Sequence, residues 1–221
     1  MIGSGGDLET FLYLAPIILV SLVLHELAHA VVATKFGDPT PREQGRLTLN
    51  PLPHLDPFGT AMFAITYFST GLIFGWARPV IVDTRYLRHP QRQMAVIAAA
   101  GPATNFVIAI AFAAYIVYGP VAVSDVAASV IFLSFSLNIV LGVFNLLPIP
   151  PLDGSRIVAA FMNEATYSAW RKLDQYGFFV IFGIIIVFNE QWVTLFSSAL
   201  SHVETWMFLL VGGSGRTAEY L

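Results

Sequence analysis

Long apolar segments, separated by short polar ones, dominate the pattern of this chain. A helix needs about 20 mostly apolar residues to cross a membrane, and four segments reach that length: 10–36, 57–77, 93–124 and 126–152. A shorter run, 175–189, predicts a further span, whereas His202 and Glu204 interrupt the run 191–212. The pattern predicts an all-α membrane protein, a polytopic bundle of about five to six transmembrane helices.

Charge asymmetry predicts that the segment 57–77 enters the membrane and returns on the same side. The loop before it carries Arg42 and Arg46, and the stretch after it contains four arginines: Arg78, Arg85, Arg88 and Arg92. If 57–77 crossed, these basic stretches would lie on opposite sides, although basic residues collect in cytoplasmic loops. We therefore expect a re-entrant or β-hairpin segment between the first two core helices, surrounded by protein or a water-filled cavity.

Composition supports the membrane prediction. Of 221 residues, 56% are hydrophobic and 11% are charged, with a mean hydropathy of +0.71, whereas a soluble domain is about 25% charged. The net charge of −3 argues against a nucleic-acid partner and leaves the lipid bilayer as the expected one. Because the chain has no cysteine, any metal must be held by His, Asp and Glu.

The first apolar segment contains the candidate chemistry, in the sequence LHELAHA at 24–30. His25 and His29 are four residues apart and share one helix face, a spacing that lets both imidazoles bind one zinc ion with Glu26 beside them as general base. A charge near the bilayer centre costs at least about 2.5–3.5 kcal/mol, so we expect this cluster to be functional. The alternative is a polar cluster that hydrogen-bonds neighbouring helices, for which Ser, Thr or Asn would be sufficient.

The same segment superficially resembles a signal peptide, because an apolar run at 11–24 precedes Ala28-His29-Ala30. Acidic residues, Asp7 and Glu9, stand where a signal peptide has basic ones. Cleavage there would also destroy the only His-Glu cluster in the sequence. We therefore interpret the segment as a membrane span.

A catalytic zinc site needs a third protein ligand. Outside the first apolar segment the candidates are few: His54, Asp56, His89, His202 and Asp153. The first three lie in polar loops, where we expect membrane-surface residues, and His202 lies near the predicted far side. Asp153 follows 148–151, PIPP, whose prolines prevent a regular helix and so favour a side chain that faces a cavity.

Three sequence blocks together resemble the site-2 protease family of intramembrane zinc metalloproteases: HELAHA at 25–30, AAGPATNF at 99–106 and NLLPIPPLDG at 145–154. The stretches GRLTLNPLPHLDPFGT and FGWARPVIVD are similar to those of compact bacterial and archaeal members without PDZ or CBS domains. The resemblance covers residues 20–160. His-Glu-x-x-His alone is moderately specific, whereas three blocks in this order in separate apolar segments are very specific.

The resemblance implies a role for each matching residue. His25, His29 and Asp153 would hold one Zn²⁺ per chain, and Glu26 would be the general base and later the proton donor. Asn145 is the candidate catalytic side chain that steadies the oxyanion or the substrate carbonyl.

Other residues of the matching blocks have more than one interpretation. Asn105 is a candidate substrate-binding residue or a structural interhelical hydrogen-bonding residue. Gly101 and Gly154 are expected to allow close backbone packing.

Two stretches have the alternating or β-branched character of short strands, GRLTL at 45–49 and WARPVIV at 76–82. Pro79 is typical of an edge strand, and an exposed edge can bind an unwound peptide by strand addition. Pro79 and Val80 are therefore candidate substrate-binding residues. Alternatively, the two strands form a hairpin that only fills the cavity.

The implied activity is that of an intramembrane zinc endopeptidase, which cuts peptide bonds in or near transmembrane segments of single-span, membrane-tethered proteins. We expect one integral-membrane domain over 1–221, with a catalytic core at about 10–160 and accessory helices at about 165–212. We expect a plasma or inner membrane location, and the charge asymmetry predicts an active site near the cytoplasmic side. A homo-oligomer is compatible with this expectation.

Two alternatives stay open. A CAAX-processing membrane protease also has His-Glu-x-x-His, but that family usually takes Glu as its third ligand. A zinc-binding transporter or membrane chaperone would need ligands without the base that Glu26 supplies.

Overall fold

The computed structural model describes residues 6–71, 73–119, 123–177, 179, 183 and 189–213. The α-helices in this part of the chain are α1 (Leu8–Lys35), α2 (Thr40–Glu43), α3 (Pro57–Thr70), α4 (Pro90–Tyr118), α5 (Asp125–Asn145), α6 (Asp153–Ala159), α7 (Glu164–Arg171) and α8 (Asn189–Leu210). Short 3₁₀ helices lie at Leu52–His54, Thr84–Tyr86 and Lys172–Tyr176.

Three of the described helices, α1, α4 and α5, are long and apolar enough to cross a membrane. They contain 28, 29 and 21 residues and correspond to the predicted spans at 10–36, 93–124 and 126–152. The all-helical membrane class is therefore confirmed, while the count of five to six transmembrane helices stays a prediction. The predicted span 175–189 lies largely outside the described residues, and α8, which covers most of 191–212, is not among the three.

Helix α4 is the centre of the bundle and packs against α1, α5, α6 and α8. Small side chains on α4 allow this close approach. The main apolar cluster contains fully buried residues of α4 and α5 together with two residues of α8: Ala109, Ala113, Phe135, Ile139, Met207 and Phe208.

Helix α5 ends at Asn145, seven residues before the end of the predicted span, because Pro148 and the Pro150-Pro151 pair cannot continue a helix. Helix α6 begins at Asp153, immediately after this break. A Cβ at Gly154 would overlap the carbonyl oxygen of Leu146, so only glycine fits where the chain folds back. The break thus returns Asp153 to the interior of the bundle.

Helix α3 covers only the first part of the apolar run 57–77. Asp56 caps it by accepting a hydrogen bond from the backbone nitrogen of Gly59 at 2.8 Å, and Gly71 ends it with a positive φ of 75°. Its 14 residues extend for about 21 Å, less than the roughly 30 Å of a bilayer core. Helix α3 alone is too short for a straight crossing. The re-entrant path stays a prediction.

The two predicted strands are not present in the described part of the chain. Residues 45–49 form a turn and bends, and the stretch 73–83 contains an isolated antiparallel bridge between Leu55 and Ala77. The β-hairpin prediction is therefore wrong for these residues. Residues 78–83 have no regular secondary structure, and most of their peptide groups do not pair with a second strand.

Buried side chains take the place of that second strand along residues 78–83, which we call the 78–83 segment. The guanidinium group of Arg46, which is 2% exposed, donates to the carbonyl oxygens of Arg78 and Pro79 at 2.9 and 3.1 Å. Fully buried Asp38 accepts a hydrogen bond from the backbone nitrogen of Asp83 at 2.9 Å. A polar loop thus anchors this segment through side chains.

We predict that Asp38→Ala loosens the 78–83 segment without unfolding the bundle. The backbone N–H of Asp83 would lose its charged acceptor, and because such a bond contributes about 1.5–3 kcal/mol, its amide should exchange with solvent about 10-fold to 100-fold faster. Hydrogen exchange measured by mass spectrometry or NMR tests this. Amides of α4 should be unchanged, and Glu43→Ala, at an exposed position of α2, is the control. Unchanged exchange at Asp83 in the Asp38→Ala protein would contradict the anchoring.

Candidate metal centre

The structure brings the three predicted zinc ligands together. His25 and His29 lie one turn apart on α1, and Asp153 is the first residue of α6. The two Nε2 atoms are 3.0 Å apart, and they lie 3.2 and 3.3 Å from Oδ2 of Asp153. Both histidines are buried, with 4% and 7% of their surface exposed.

Hydrogen bonds at the outer ring nitrogens orient both imidazoles. Nδ1 of His29 donates to the carbonyl oxygen of Ile97 at 2.7 Å, and Nδ1 of His25 donates to Oδ1 of Asn105 at 2.6 Å. A neutral imidazole that donates from Nδ1 has a lone pair on Nε2. Both Nε2 lone pairs therefore face the carboxylate of Asp153.

Oδ2 of Asp153 is buried and has no hydrogen-bond partner of acceptable geometry among the described residues. The histidine nitrogens are close to it, and in the neutral tautomers that donate from Nδ1 they have no hydrogen to donate. Three electron-pair donors in contact repel one another, and an unpaired buried carboxylate oxygen is costly. A cation between them removes both penalties.

The donor set fits zinc. Tetrahedral zinc has nitrogen and oxygen ligands at about 2.0–2.1 Å, which places the ligand atoms about 3.3 Å from one another. The observed separations of 3.0, 3.2 and 3.3 Å match this spacing. Two imidazoles and a carboxylate also leave the fourth position for water, as in catalytic zinc sites.

Gly101 of α4 lies directly against this cluster. A Cβ at this position would be 2.5 Å from Nε2 of His25 and 2.5 Å from Nε2 of His29. Any side chain would therefore fill the space in front of the ligand atoms. From the sequence, Gly101 is expected only to allow close backbone packing, because a glycine within a helix gives no sign of a nearby ligand. The structure adds that Gly101 lines the candidate metal site.

Glu26 lies beside the cluster on α1 and is half-buried. Its Oε2 accepts a hydrogen bond from the backbone nitrogen of Val80 at 3.0 Å, so the 78–83 segment passes directly over this carboxylate. Burial lowers the pKa of Arg46, whereas the negative charge of Glu26 acts to raise it. The structure thus places Pro79 and Val80 next to the candidate base.

The two candidate asparagines have different surroundings. Asn105 is fully buried and bonds His25 and Asn138. Asn145 is half-buried, and its amide nitrogen donates to the carbonyl oxygen of Leu141 in its own helix at 3.0 Å. Substrate binding by Asn105 and oxyanion stabilisation by Asn145 stay predictions.

The other candidate ligands have separate local partners. His54 bonds the carbonyl oxygen of Thr48, Asp56 caps α3, His89 is exposed before α4, and His202 bonds its own helix. Within the described ranges, the group of His, Asp and Glu close enough to share a metal ion consists of His25, His29 and Asp153.

Comparison with known proteins agrees with this geometry. Residues 13–124 and 115–188 match the model of peptidase family M50. The chain belongs to this family. It is 40% identical over 182 residues to "Putative zinc metalloprotease YwhC" of Bacillus subtilis, covering 79% of this chain and 80% of that protein.

Two mycobacterial relatives are named "Putative zinc metalloprotease Rip2". The protein from Mycolicibacterium smegmatis is 32% identical over 169 residues, 76% of this chain and 64% of the relative. The one from Mycobacterium tuberculosis is 30% identical over 202 residues, 90% of this chain and 74% of the relative. No solved structure matches the chain.

The resemblance to the site-2 protease family is thereby confirmed, and zinc is the cofactor. Together with the three apolar helices, the match makes the chain an integral membrane zinc metalloprotease. The family matched is M50, which decides against the CAAX-processing alternative.

We predict that Gly101→Ala abolishes zinc binding in a folded protein. The added methyl group would lie 2.5 Å from both Nε2 atoms and displace any ion between them. Metal analysis of the purified protein should show zinc falling from about one per chain to near zero. Gly142→Ala is the matched control, because its methyl group would meet the Phe106 ring at 2.6 Å, away from the histidines. A Gly101→Ala protein that still holds one zinc would contradict this assignment.

Proposed function

We propose that this chain is an intramembrane zinc endopeptidase that hydrolyses peptide bonds in or near transmembrane segments of single-span, membrane-tethered proteins. The observation that carries the proposal is the meeting of three potential ligand atoms, Nε2 of His25, Nε2 of His29 and Oδ2 of Asp153, with the carboxylate of Glu26 beside them. His25, Glu26 and His29 of this cluster lie on α1, which is itself long and apolar enough to span a membrane. Substrates that share the membrane are the natural partners of a site in such a helix.

In this proposal His25, His29 and Asp153 hold the zinc ion. When bound, zinc supplies Lewis acidity that lowers the pKa of a water to about 7 and polarises a carbonyl group. Glu26 removes the proton from the attacking water and passes it to the leaving amine. The hydrogen bond from Val80 fixes Oε2, so we assign proton transfer to Oε1.

We propose that the Lys35 end of α1 faces the cytoplasm of a plasma or inner membrane. His29 lies six residues before Lys35, about 9 Å along the helix axis. A short water-filled path from the cytoplasmic side would then reach the cluster. The basic residues that follow α1 and precede α4 support this orientation.

We propose that substrate passes along the 78–83 segment. A membrane-spanning substrate keeps its peptide groups in internal hydrogen bonds and must unwind before cleavage. The 78–83 segment, with exposed Pro79 and half-buried Val80, lies next to Glu26, where an unwound strand is needed. The carbonyl oxygens of Arg78 and Pro79 already accept from Arg46, so strand addition would use the peptide groups after Val80.

A zinc transporter or membrane chaperone is the competing proposal of a different class. Such a protein needs the ligands but not a base beside them. Glu26 therefore separates the two proposals, and it is the residue to change.

We predict that Glu26→Gln keeps zinc and abolishes cleavage of a model single-span protein in proteoliposomes. Loss of a general base costs about 10²–10⁴-fold in rate, whereas this substitution leaves the three ligands intact. Zinc content by elemental analysis and product formation by mass spectrometry measure the two effects. Glu43→Gln on α2 is the charge-matched control. Full cleavage by a folded Glu26→Gln protein would rule out Glu26 as the general base. Absence of cleavage by the zinc-loaded wild type would rule out the endopeptidase, and zinc transport by both proteins would favour the transporter.

We predict the side from which single cysteines are labelled, and the absence of native cysteine simplifies the experiment. Arg42→Cys, Arg88→Cys and Arg171→Cys, all at exposed positions, should react with an impermeant reagent from the cytoplasmic side. Asp125→Cys should react from the opposite side. Labelling of Arg88→Cys from outside would mean that the region 57–77 crosses the membrane.

A further inference from the structure

A line of four buried polar residues crosses the apolar bundle from Ser21 to His25. Nδ2 of Asn138 donates to Oγ of Ser21 at 3.0 Å, Nδ2 of Asn105 donates to Oδ1 of Asn138 at 2.9 Å, and Nδ1 of His25 donates to Oδ1 of Asn105 at 2.6 Å. The four residues are at most 4% exposed. They lie on α1, α5, α4 and again α1, and the line ends at a candidate zinc ligand.

The direction of these bonds is set at Asn138. Its Nδ2 also donates to the carbonyl oxygen of Ser134 in α5 at 2.8 Å. A carbonyl oxygen can only accept, so the NH₂ group of Asn138 must face Ser134. The Oδ1 atom of Asn138 must then face Asn105.

The same logic passes through Asn105 to the imidazole. Asn105 meets an acceptor at Asn138 and must present its NH₂ group there, which turns its Oδ1 towards His25. Nδ1 of His25 must therefore carry the hydrogen, and the lone pair on Nε2 faces Asp153. A reversed amide at either asparagine would leave buried donors or acceptors unpaired, which is costly in an apolar interior.

The tautomer of His29 is fixed by a single hydrogen bond. Its Nδ1 donates directly to a backbone carbonyl oxygen, that of Ile97, at 2.7 Å. A backbone carbonyl group therefore sets the tautomer of each imidazole. Ile97 does so directly for His29, and Ser134 does so for His25 through the amides of Asn138 and Asn105. Hydrogen bonds that only held the helices together would not need both imidazoles to donate from Nδ1 and to present Nε2 to Asp153.

We infer that Asn138 and Asn105 are positioning residues that fix the tautomer and ring orientation of His25, so that its Nε2 lone pair is held at the metal centre. The inference rests on the proposed role of His25 as a zinc ligand. Residues that orient metal ligands typically affect metal affinity by about 10-fold to 100-fold. Asn138 touches neither the ligand atoms nor Glu26, so its effect must pass through Asn105.

The test measures zinc affinity by competition with a chelator in purified protein. Asn138→Leu should weaken zinc binding about 10-fold or more, because Asn105 is then free to turn its amide. Asn138→Ala, which adds no volume, should act in the same way. Ser21→Ala is the matched control, since it removes a buried bond of the same line while Ser134 still fixes the amide of Asn138. Its zinc affinity should equal that of the wild type.

A double-mutant cycle separates positioning from packing. Asn105→Asp presents an oxygen to His25 in either orientation of its carboxylate, so Asn138 is no longer needed to orient this side chain. Asn138→Leu should therefore cost about 10-fold in zinc affinity with Asn105 present and almost nothing with Asn105→Asp. The visible spectrum of the Co²⁺-loaded protein should change with Asn138→Leu and return towards that of the wild type in the double variant.

Several outcomes would overturn the inference. One is an Asn138→Leu protein with wild-type zinc affinity, and another is an equal cost in both Asn105 backgrounds, which indicates packing alone. Wild-type protein that binds no zinc would overturn both this inference and the proposed function. If wild type binds zinc and the cycle holds but no membrane-tethered substrate is cut, the positioning role stands and the proposed function fails.

Discussion

The approach of three electron-pair donors, Nε2 of His25, Nε2 of His29 and Oδ2 of Asp153, is the contact on which the rest of the structure depends. These atoms are at most 3.3 Å apart inside an apolar bundle, where repulsion is poorly screened. The fold supports this contact from three sides. Helix α1 supplies two donors from one face, the proline break after α5 returns the third, and Gly101 of α4 leaves the space open.

Polar groups in the bundle are therefore arranged around that contact. Backbone carbonyl oxygens hold the outer nitrogens of both imidazoles, directly at Ile97 or through asparagine amides. On the other side, the peptide group of Val80 holds the carboxylate of Glu26. The proposed base is thus held by a loop segment, whereas the proposed ligands are held by packed helices. A change in the loop can reposition the base without disturbing the metal centre.

Sequence patterns predicted the grouping of the centre because its signals are local: the spacing of His25 and His29, and the acidic residue after a run of prolines. Other features depend on contacts far apart in sequence. β-Branched residues indicate an extended backbone, but they do not reveal that its partners are the side chains of Arg46 and Asp38. Asn138, within an apolar span, has no sequence signal that connects it to a histidine more than a hundred residues away.

The anchors of the 78–83 segment have an evolutionary consequence. The anchoring side chains, Arg46, Glu26 and Asp38, hydrogen-bond to backbone peptide groups and not to side chains of the segment. Arg46 binds carbonyl oxygens, which proline also has. Side chains along the segment are therefore free to diversify while its path stays constant. Under the proposal that substrate passes along this segment, point changes in these side chains would alter substrate preference without rebuilding the metal centre.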